Sequence, residues 1–465
     1  MSPKHKLLTG NGAVRLTEGS IARKLIAFAV PLFLGSLIQQ LYSTVDLMFV
    51  GKLIGRDASA AVGSSGLMVT CIVGFFTGLS VGVGVVAGQA AGRRDEQALR
   101  RIIHTAAGFT ALMALVFLVL GQLLVVPVLG AMHTPEDILA QAMAYIRIYL
   151  FSLPAIVTYN VGTGIIRALG NSRSPMLYQL IGGIGNVIVD ALFIAVLKWG
   201  VHGAALATVC TQMLAAGLVL RHLRTLEAPY RLQFRRVRVE WDVCKRILSV
   251  GIPAAIQSIV ITLSNVVVQA NINLLGVESI AAFTAYFKVE NFIYFPIMAF
   301  GAACSTFVSQ NVGAGQIDRT RRGVRLSITV GVSVTATLAA LGLLLGRTLF
   351  GLFSSDDEVI RLGLTIIRVT FPLYFVYVFL EIFGGAIRGA GKALPTMLII
   401  LVNMCIVRIG ALKLIMVKSP VVGSVAWVYP ITWICTSLCL FIYYKTDCWV
   451  PERSEASWGD TRLGA

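Results

Sequence analysis

The amino-acid sequence predicts an all-α integral membrane protein, with twelve transmembrane helices in two pseudo-symmetric six-helix lobes. Three observations carry this expectation. Hydrophobic residues make up 57% of the 465-residue chain and charged residues only 13%, with a mean hydropathy of +0.81. Soluble domains carry about 25% charged residues, so this chain is solvated mainly by lipid. Apolar stretches long enough to cross a bilayer, ~20 residues each, recur along its length. Finally, the chain repeats itself. Residues 53–101 align without a gap on residues 274–322, placing Leu53-Ile54-Gly55 on Leu274-Leu275-Gly276, Gln89 on Gln310 and Arg100-Arg101 on Arg321-Arg322. The same offset carries Arg167, Gly170 and Met176 onto Arg388, Gly391 and Met397. Duplicated hydrophobic units of this size are commonest in secondary transporters, where substrate binds between the repeats.

The first 20 residues are polar and lack a continuous apolar core, so they read as a cytoplasmic segment and not as a cleavable signal peptide. The spans of the first half fall near 21–50, 58–91, 102–129, 140–166, 175–197 and 203–220. Their ends are marked by Lys52, Arg93-Arg94, the acids after Pro135, Arg167, Lys198 and Arg221. The charged stretch 221–246 is the one long connection and reads as a cytoplasmic linker between lobes 21–220 and 247–444. The second half has spans near 247–275, 279–312, 326–350, 360–387, 395–417 and 421–444, and residues 445–465 form a polar tail. Stretches longer than a bilayer needs imply tilt or interfacial extension. The run Ser354-Ser355-Asp356-Asp357-Glu358 reads as a helix start, a hydroxyl cap followed by acids at the positive end of the dipole.

A net charge of +17 would fit nucleic acid, but its distribution argues for a membrane. With an even number of spans, 28 of the 39 Lys and Arg fall on the side of the termini and six on the other. That bias places both termini in the cytoplasm. The run Arg235-Arg236-Val237-Arg238 reads as a topology determinant and a contact for anionic lipid head groups. No soluble domain with interleaved aromatics accompanies it, so nucleic acid is not an expected partner. Eight cysteines form no CxxC pair and read as small packing residues. The chain has no HExxH, and its one GxSxG match, Gly78-Leu79-Ser80-Val81-Gly82, lies inside an apolar span and not at a strand-to-helix turn, which argues against a membrane enzyme, and no cofactor is expected.

Acids inside hydrocarbon are costly and mark function or pairing. Four occur within spans: Asp46, Asp190, Glu290 and Glu381. Asn186 precedes Asp190 by four residues and shares its helical face, and Thr208 adds a hydroxyl from the next span. Two carboxylates, an amide and a hydroxyl form a hard oxygen set for Na⁺, or for a proton shared between carboxyls. The second half lacks the set. Asp46 meets Val267, or Val268 if span one slips by a residue, while Asn186 meets Val407, Asp190 meets Ala411 and Thr208 meets Tyr429. Glu381 aligns with Asn160. Gln257, Asn265, Gln269, Glu290, Glu381 and Asn160 are candidates for a polar substrate cavity, with interhelical hydrogen bonding as the alternative for the amides. Glu290 could also pair with Arg408 or Arg368.

These motifs jointly resemble the multidrug and toxic compound extrusion (MATE) family over nearly the whole chain. The resemblance rests on PLFLGSLIQQLYSTVDLMFVGKLIG at 31–55, GQAAGRRD at 88–95, RALGNSRSPM at 167–176 and GNVIVDALF at 185–193. It continues through GVHGAALATVCTQ at 200–212, SQNVGAGQ at 309–316 and RGAGKALPTM at 388–397. The resemblance implies two six-helix lobes in a V, alternating access, and export of amphipathic, often cationic compounds in exchange for Na⁺ or H⁺. It also implies that Asp46, Asn186, Asp190 and Thr208 form a cation site. Acids that some members carry on helices seven and ten have only Glu381 as a counterpart here, which puts a second cation site in doubt. The expected setting is a prokaryotic plasma membrane, with a monomeric chain that contacts small-molecule substrates and membrane lipids. The alternative is a lipid-linked oligosaccharide flippase of the same superfamily, which Lys288, Arg368 and Arg408 keep open.

Overall fold

A computed structural model describes residues 14–131, 135–227 and 230–450, so most of the N-terminal segment and the tail beyond 450 lie outside the described residues. Every element among the described residues is helical. Eleven helices are long and apolar enough to cross a membrane, or twelve when one bent pair is taken as a single span. Lipid offers no partner for a backbone N–H or C=O, so a spanning segment must bond within itself, which a helix does.

Clustering of contacts divides the chain into two units. The first comprises residues up to Arg15 and Leu34–Ala255, and the second Leu16–Phe33 and Ile256–Ala465. The first unit contains most of α1 (Ile21–Phe49), then α2 (Arg56–Arg93), α3 (Glu96–Ala131), α4 (Glu136–Leu150), α5 (Leu153–Ala168), α6 (Arg173–Asp190) and α7 (Gly200–Thr225). It also takes the first half of α8 (Trp241–Asn273). α4 and α5 form the bent pair, meeting at 47°. The break has a local cause: Pro154 at the start of α5 has no N–H to continue the α4 ladder, and Ser152 Oγ donates to the Tyr149 carbonyl, 2.6 Å away.

In the second unit α9 (Val277–Gly313) and α10 (Ile317–Leu344) follow, with a short α11 (Gly346–Gly351). α12 (Asp357–Thr370) and α13 (Tyr374–Gly389) join through one 3₁₀ turn at Phe371–Leu373 and together make one span. α14 (Ala393–Leu401) and α15 (Arg408–Lys418) flank a π-helical segment at Val402–Val407, and α16 (Val422–Ala426) leads into α17 (Val428–Lys445). α10 starts at Ile317 and not near 326, because the strongly charged run from Asp318 to Arg325 stays helical beyond the apolar window. The α12 cap also differs from expectation. Asp356, not a serine, caps the helix, its carboxylate accepting from Glu358 N at 2.8 Å.

The repeat persists at the level of backbone geometry. α2 and α9, α4 and α12, and α5 and α13 each begin at residues related by the sequence offset. Left-handed φ values recur at matched positions: Gly55 and Gly276, Arg94 and Gly315, Gly170 and Gly391. Close backbone approaches recur as well. A Cβ on Gly164 of α5 would lie 2.9 Å from the Ser80 carbonyl oxygen of α2, and one on Gly385 of α13 would lie 2.6 Å from that of Gly301 on α9. Within the first unit, Gly78 and Gly82 bring α2 against the α8 backbone at Ala255 and Gly251 in the same manner.

Gly170 (φ +88°) accepts from Val14 N at 2.9 Å, and a Cβ there would run into the Val14 carbonyl. Gly315 (φ +71°) has open space around its missing Cβ. Gly315→Ala should therefore cost only the left-handed backbone penalty, about 1–2 kcal/mol, whereas Gly170→Ala should cost clearly more. Thermal unfolding of both variants in one detergent checks the order. Equal losses would show that Val14 yields freely.

Candidate functional site

The first unit contains the candidate cation site. Asp46 lies on α1, half-buried, four residues before the α-helical pitch gives way to a π-helical segment at Val50–Ile54. Asp190 is the last residue of α6, fully buried, and a second π-helical segment (Ala191–Val196) begins directly after it. The two π segments pack on each other. Each widens its helix just past a carboxylate, which turns the following side chains out of α register.

The two carboxyl groups stand within hydrogen-bonding reach of one another. Asp46 Oδ1 and both Asp190 oxygens are nevertheless buried without a protein donor. Two facing carboxylates cannot bond to each other unless a proton is shared or a cation lies between them. Asn186 is buried on the same face of α6, one turn before Asp190. Thr208 lies on α7, which packs along α6. Its hydroxyl donates to the Ala204 carbonyl at 3.2 Å, which leaves its lone pairs free to accept or to ligate. Among the described residues, no hydrogen bond joins Asn186 or Thr208 to the carboxyl pair. The structure thus brings the two acids together and holds the amide and hydroxyl on neighbouring faces.

Sequence reasoning missed the aromatic surroundings. Tyr42, one turn before Asp46, accepts from Gln179 Nε2 at 3.2 Å, and Gly183 makes room for its ring. Tyr145 and Tyr149 of α4 stack at 6.1 Å, and Tyr145 lies close enough to feel the charge of both carboxylates. The i, i+4 spacing of the tyrosines was visible in the sequence, but nothing there ties α4 to α1.

The second-unit candidates resolve into separate clusters. Glu290 of α9 is not ion-paired with Arg408 or Arg368. It accepts instead from Tyr374 Oη at 2.7 Å and Tyr286 Oη at 3.1 Å. Arg408, buried at the start of α15, donates to Asn265 Oδ1 at 2.8 Å and faces the Tyr429 ring at 5.5 Å, while its Nε has no partner. Tyr429 is the counterpart of Thr208 by the sequence offset, so a tethered guanidinium faces the side chain that stands in that hydroxyl's place. Glu381 pairs with Arg388 at 3.6 Å, and Arg388 also donates to Gln257 Oε1 at 3.3 Å. Gln269 donates to Asn273 at 2.9 Å on an exposed face. Asn160, in the first unit, accepts from Ser80 Oγ through its carbonyl. Among the described residues no group of three or more His, Cys, Asp or Glu is placed to hold a metal ion.

Comparison with known proteins gives a consistent outcome. The MatE family model matches residues 31–192 and 253–411. The chain is similar to the probable multidrug resistance protein YoeA of Bacillus subtilis, with 26% identity covering 92% of this chain and 94% of the relative. It resembles the probable multidrug resistance protein YpnP of the same organism at 25% identity, covering 94% and 98%. Among solved structures, a MATE protein in the bent conformation superposes with a TM-score of 0.86 at 19% identity, over 93% of this chain and 96% of that one.

Two like charges facing each other without a donor destabilise the fold that holds them. Asp190→Asn supplies an amide donor to Asp46 and removes one charge. In sodium-free buffer at pH 9 it should raise the unfolding temperature, by about 1 kcal/mol or more in stability. The gap over wild type should narrow as NaCl or acid is added. A lower unfolding temperature at pH 9 would mean that Asp190 is satisfied by something other than a cation.

Proposed function

The chain belongs to the MatE family of multidrug efflux transporters, and from that premise we propose that it is a secondary active antiporter. It exports amphipathic or cationic compounds in exchange for H⁺ or Na⁺ by alternating access. The observation that carries this reading is the donor-free meeting of Asp46 and Asp190 between α1 and α6. A proton or Na⁺ entering between the carboxyls relieves their repulsion and draws the two helices together. Its departure lets them part. An ion that stabilises one arrangement of these helices, and a drug that stabilises the other, exclude each other thermodynamically, because a ligand shifts an equilibrium only by its differential affinity.

In this reading Asn186 and Thr208 complete the ligand set for Na⁺, or orient the carboxyls around a shared proton. Glu290, Glu381, Gln257, Asn265, Gln269 and Asn160 tune the polarity of the drug path. Glu290 and Glu381 are the groups that could face a cationic compound, and the engagement of Gln257 and Asn265 by arginines makes them scaffolding first. The excess of Lys and Arg on the terminus side supports cytoplasmic termini in a prokaryotic plasma membrane. We take the transporting unit to be the monomer, with membrane lipids as its surroundings. The lipid-linked oligosaccharide flippase finds no support among the relatives described, and of the three residues that kept it open Arg408 is engaged by Asn265.

Efflux of a fluorescent lipophilic cation from proteoliposomes, with Na⁺ and pH gradients imposed separately, tests the proposal. One gradient should drive wild type, and Asp46→Asn should abolish the driven flux while leaving the unfolding temperature at or above that of wild type. Asn186→Ala and Thr208→Ala should each raise the concentration of the driving ion needed for half-maximal flux by roughly tenfold. Full gradient-driven export by an Asp46→Asn/Asp190→Asn double variant would sink the mechanism.

A further inference from the structure

Away from the carboxyl pair, the first unit holds a second built cavity of about 390 Å³, lined by Gly217, Leu220, Arg221, Arg224, Arg231 and Phe234. Its walls come from two sources. One is the outer face of α7, where Met213, Leu214, Gly217, Arg221 and Arg224 follow one another at helical spacing and are all exposed. The stripe is apolar for two turns and then cationic. At Gly217 nothing lies within 4 Å of where a Cβ would stand, so a furrow opens in the helix surface immediately below the arginines.

The other wall is the stretch after α7, which folds back onto the bundle. Leu232 is buried and its N–H donates to the Leu223 carbonyl at 3.0 Å, while Gln233 N donates to His104 Nε2 at 3.2 Å. These bonds hold Arg231 and Phe234 against the end of α7. Arg224 lies over the Phe234 ring at 5.3 Å, which fixes the guanidinium plane. Three guanidiniums thus converge on one cavity that no carboxylate lines. Guanidinium is the side chain best matched to a phosphate, which it can grip through paired N–H donors.

We propose that this cavity seats the head group of an anionic phospholipid. Its phosphodiester lies among Arg221, Arg224 and Arg231, and one acyl chain runs along Met213 and Leu214 through the furrow at Gly217. The apolar half of the site distinguishes this ligand from a free anion. A diffusing phosphate has no use for an exposed leucine, methionine and phenylalanine beside its charges. The inference shares with the proposed function only the reading of α7 as a membrane span. Its assay reads lipid and not export, so either can fail alone.

The purified full-length chain in detergent, titrated with dioleoyl phosphatidylglycerol and dioleoyl phosphatidylcholine and read by native mass spectrometry, tests it. Wild type should retain one phosphatidylglycerol at least about tenfold more tightly than phosphatidylcholine. Arginines near an anionic surface contribute about fivefold each, so R221Q/R224Q/R231Q should weaken phosphatidylglycerol on the order of 100-fold. R235Q/R236Q/R238Q removes the same charge from the adjacent run, whose contact with anionic head groups is diffuse because none of the three lines the cavity, and should weaken phosphatidylglycerol at least about tenfold less than the first triple. Gly217→Leu keeps every arginine but fills the furrow, and should also weaken phosphatidylglycerol. That variant carries the test if the arginine triple unfolds. Equal losses in the two arginine triples would reduce the site to diffuse surface attraction and overturn the proposal. So would complete displacement of the lipid by millimolar inorganic phosphate, which would make it a simple ion site.

Discussion

Helix association in this protein gets nothing from removing apolar surface from water, because lipid tails solvate leucine as well as another helix does. Contact must come from close approach and from polar groups satisfied across the interface. The repeated glycines answer the first demand. Gly164 against Ser80 and Gly385 against Gly301 let backbones touch at matched levels of the two units, and Gly78 and Gly82 do the same against α8. The second demand explains why almost every polar side chain in the spans is engaged, through Asn160 with Ser80, Asn265 with Arg408 and Gln257 with Arg388. In such surroundings Asp46 Oδ1 and both Asp190 oxygens are set apart by being carboxylate oxygens, buried and bonded to no protein donor.

The two units started from one plan and have met the problem of buried charge in different ways. In the second unit the cation is part of the chain. Arg408 is held by Asn265 and by the face of Tyr429, and the nearby acid Glu290 is satisfied by two tyrosine hydroxyls. In the first unit the acids have no resident cation. A guanidinium on a covalent tether cannot leave, so the second unit's arrangement is permanent, whereas in the function proposed above the first unit's is completed and undone by a diffusing ion. Divergence of this kind lets a duplicated bundle keep its packing while its two halves treat buried charge differently.

Much of this was legible in the sequence, for definable reasons. The offset that aligns Leu53 with Leu274 and Gly170 with Gly391 predicted which helices would start together, since helix starts and left-handed turns are set by local chemistry. Asp46 and Asp190 could be singled out because a carboxylate in hydrocarbon has so few innocent explanations. Their meeting was expected from the chemistry of the set and from the resemblance, but spacing alone could not show it, because it depends on how α1 and α6 cross. The broken fourth span was hidden for a different reason. Pro154 was visible, but proline is tolerated within α1, α3, α8 and α9, and the 47° bend arises only where the ladder of α4 has already ended at Ser152. Tyr42, Tyr145 and Tyr149 were passed over because tyrosines in apolar helices are ordinary, and only the proximity of Tyr42 and Tyr145 to the acids, with Tyr149 stacked on Tyr145, sets these three apart.

The π-helical turns also bear on how the two copies differ in length. Pro31 precedes Leu53 by one residue more than Pro253 precedes Leu274. The surplus falls in the stretch where α1 passes into the π turn at Val50–Ile54, whereas α8 runs as unbroken α-helix to Asn273. A π turn is how a helix absorbs one inserted residue without unwinding its neighbours. Each copy also contains one π segment later on, at Ala191–Val196 and Val402–Val407. The bulge beside Asp46 thus accompanies a one-residue difference in length between the two copies. The longer copy is the one that carries Asp46 and Asp190, so the extra residue resets which side chains follow the first acid along its helix.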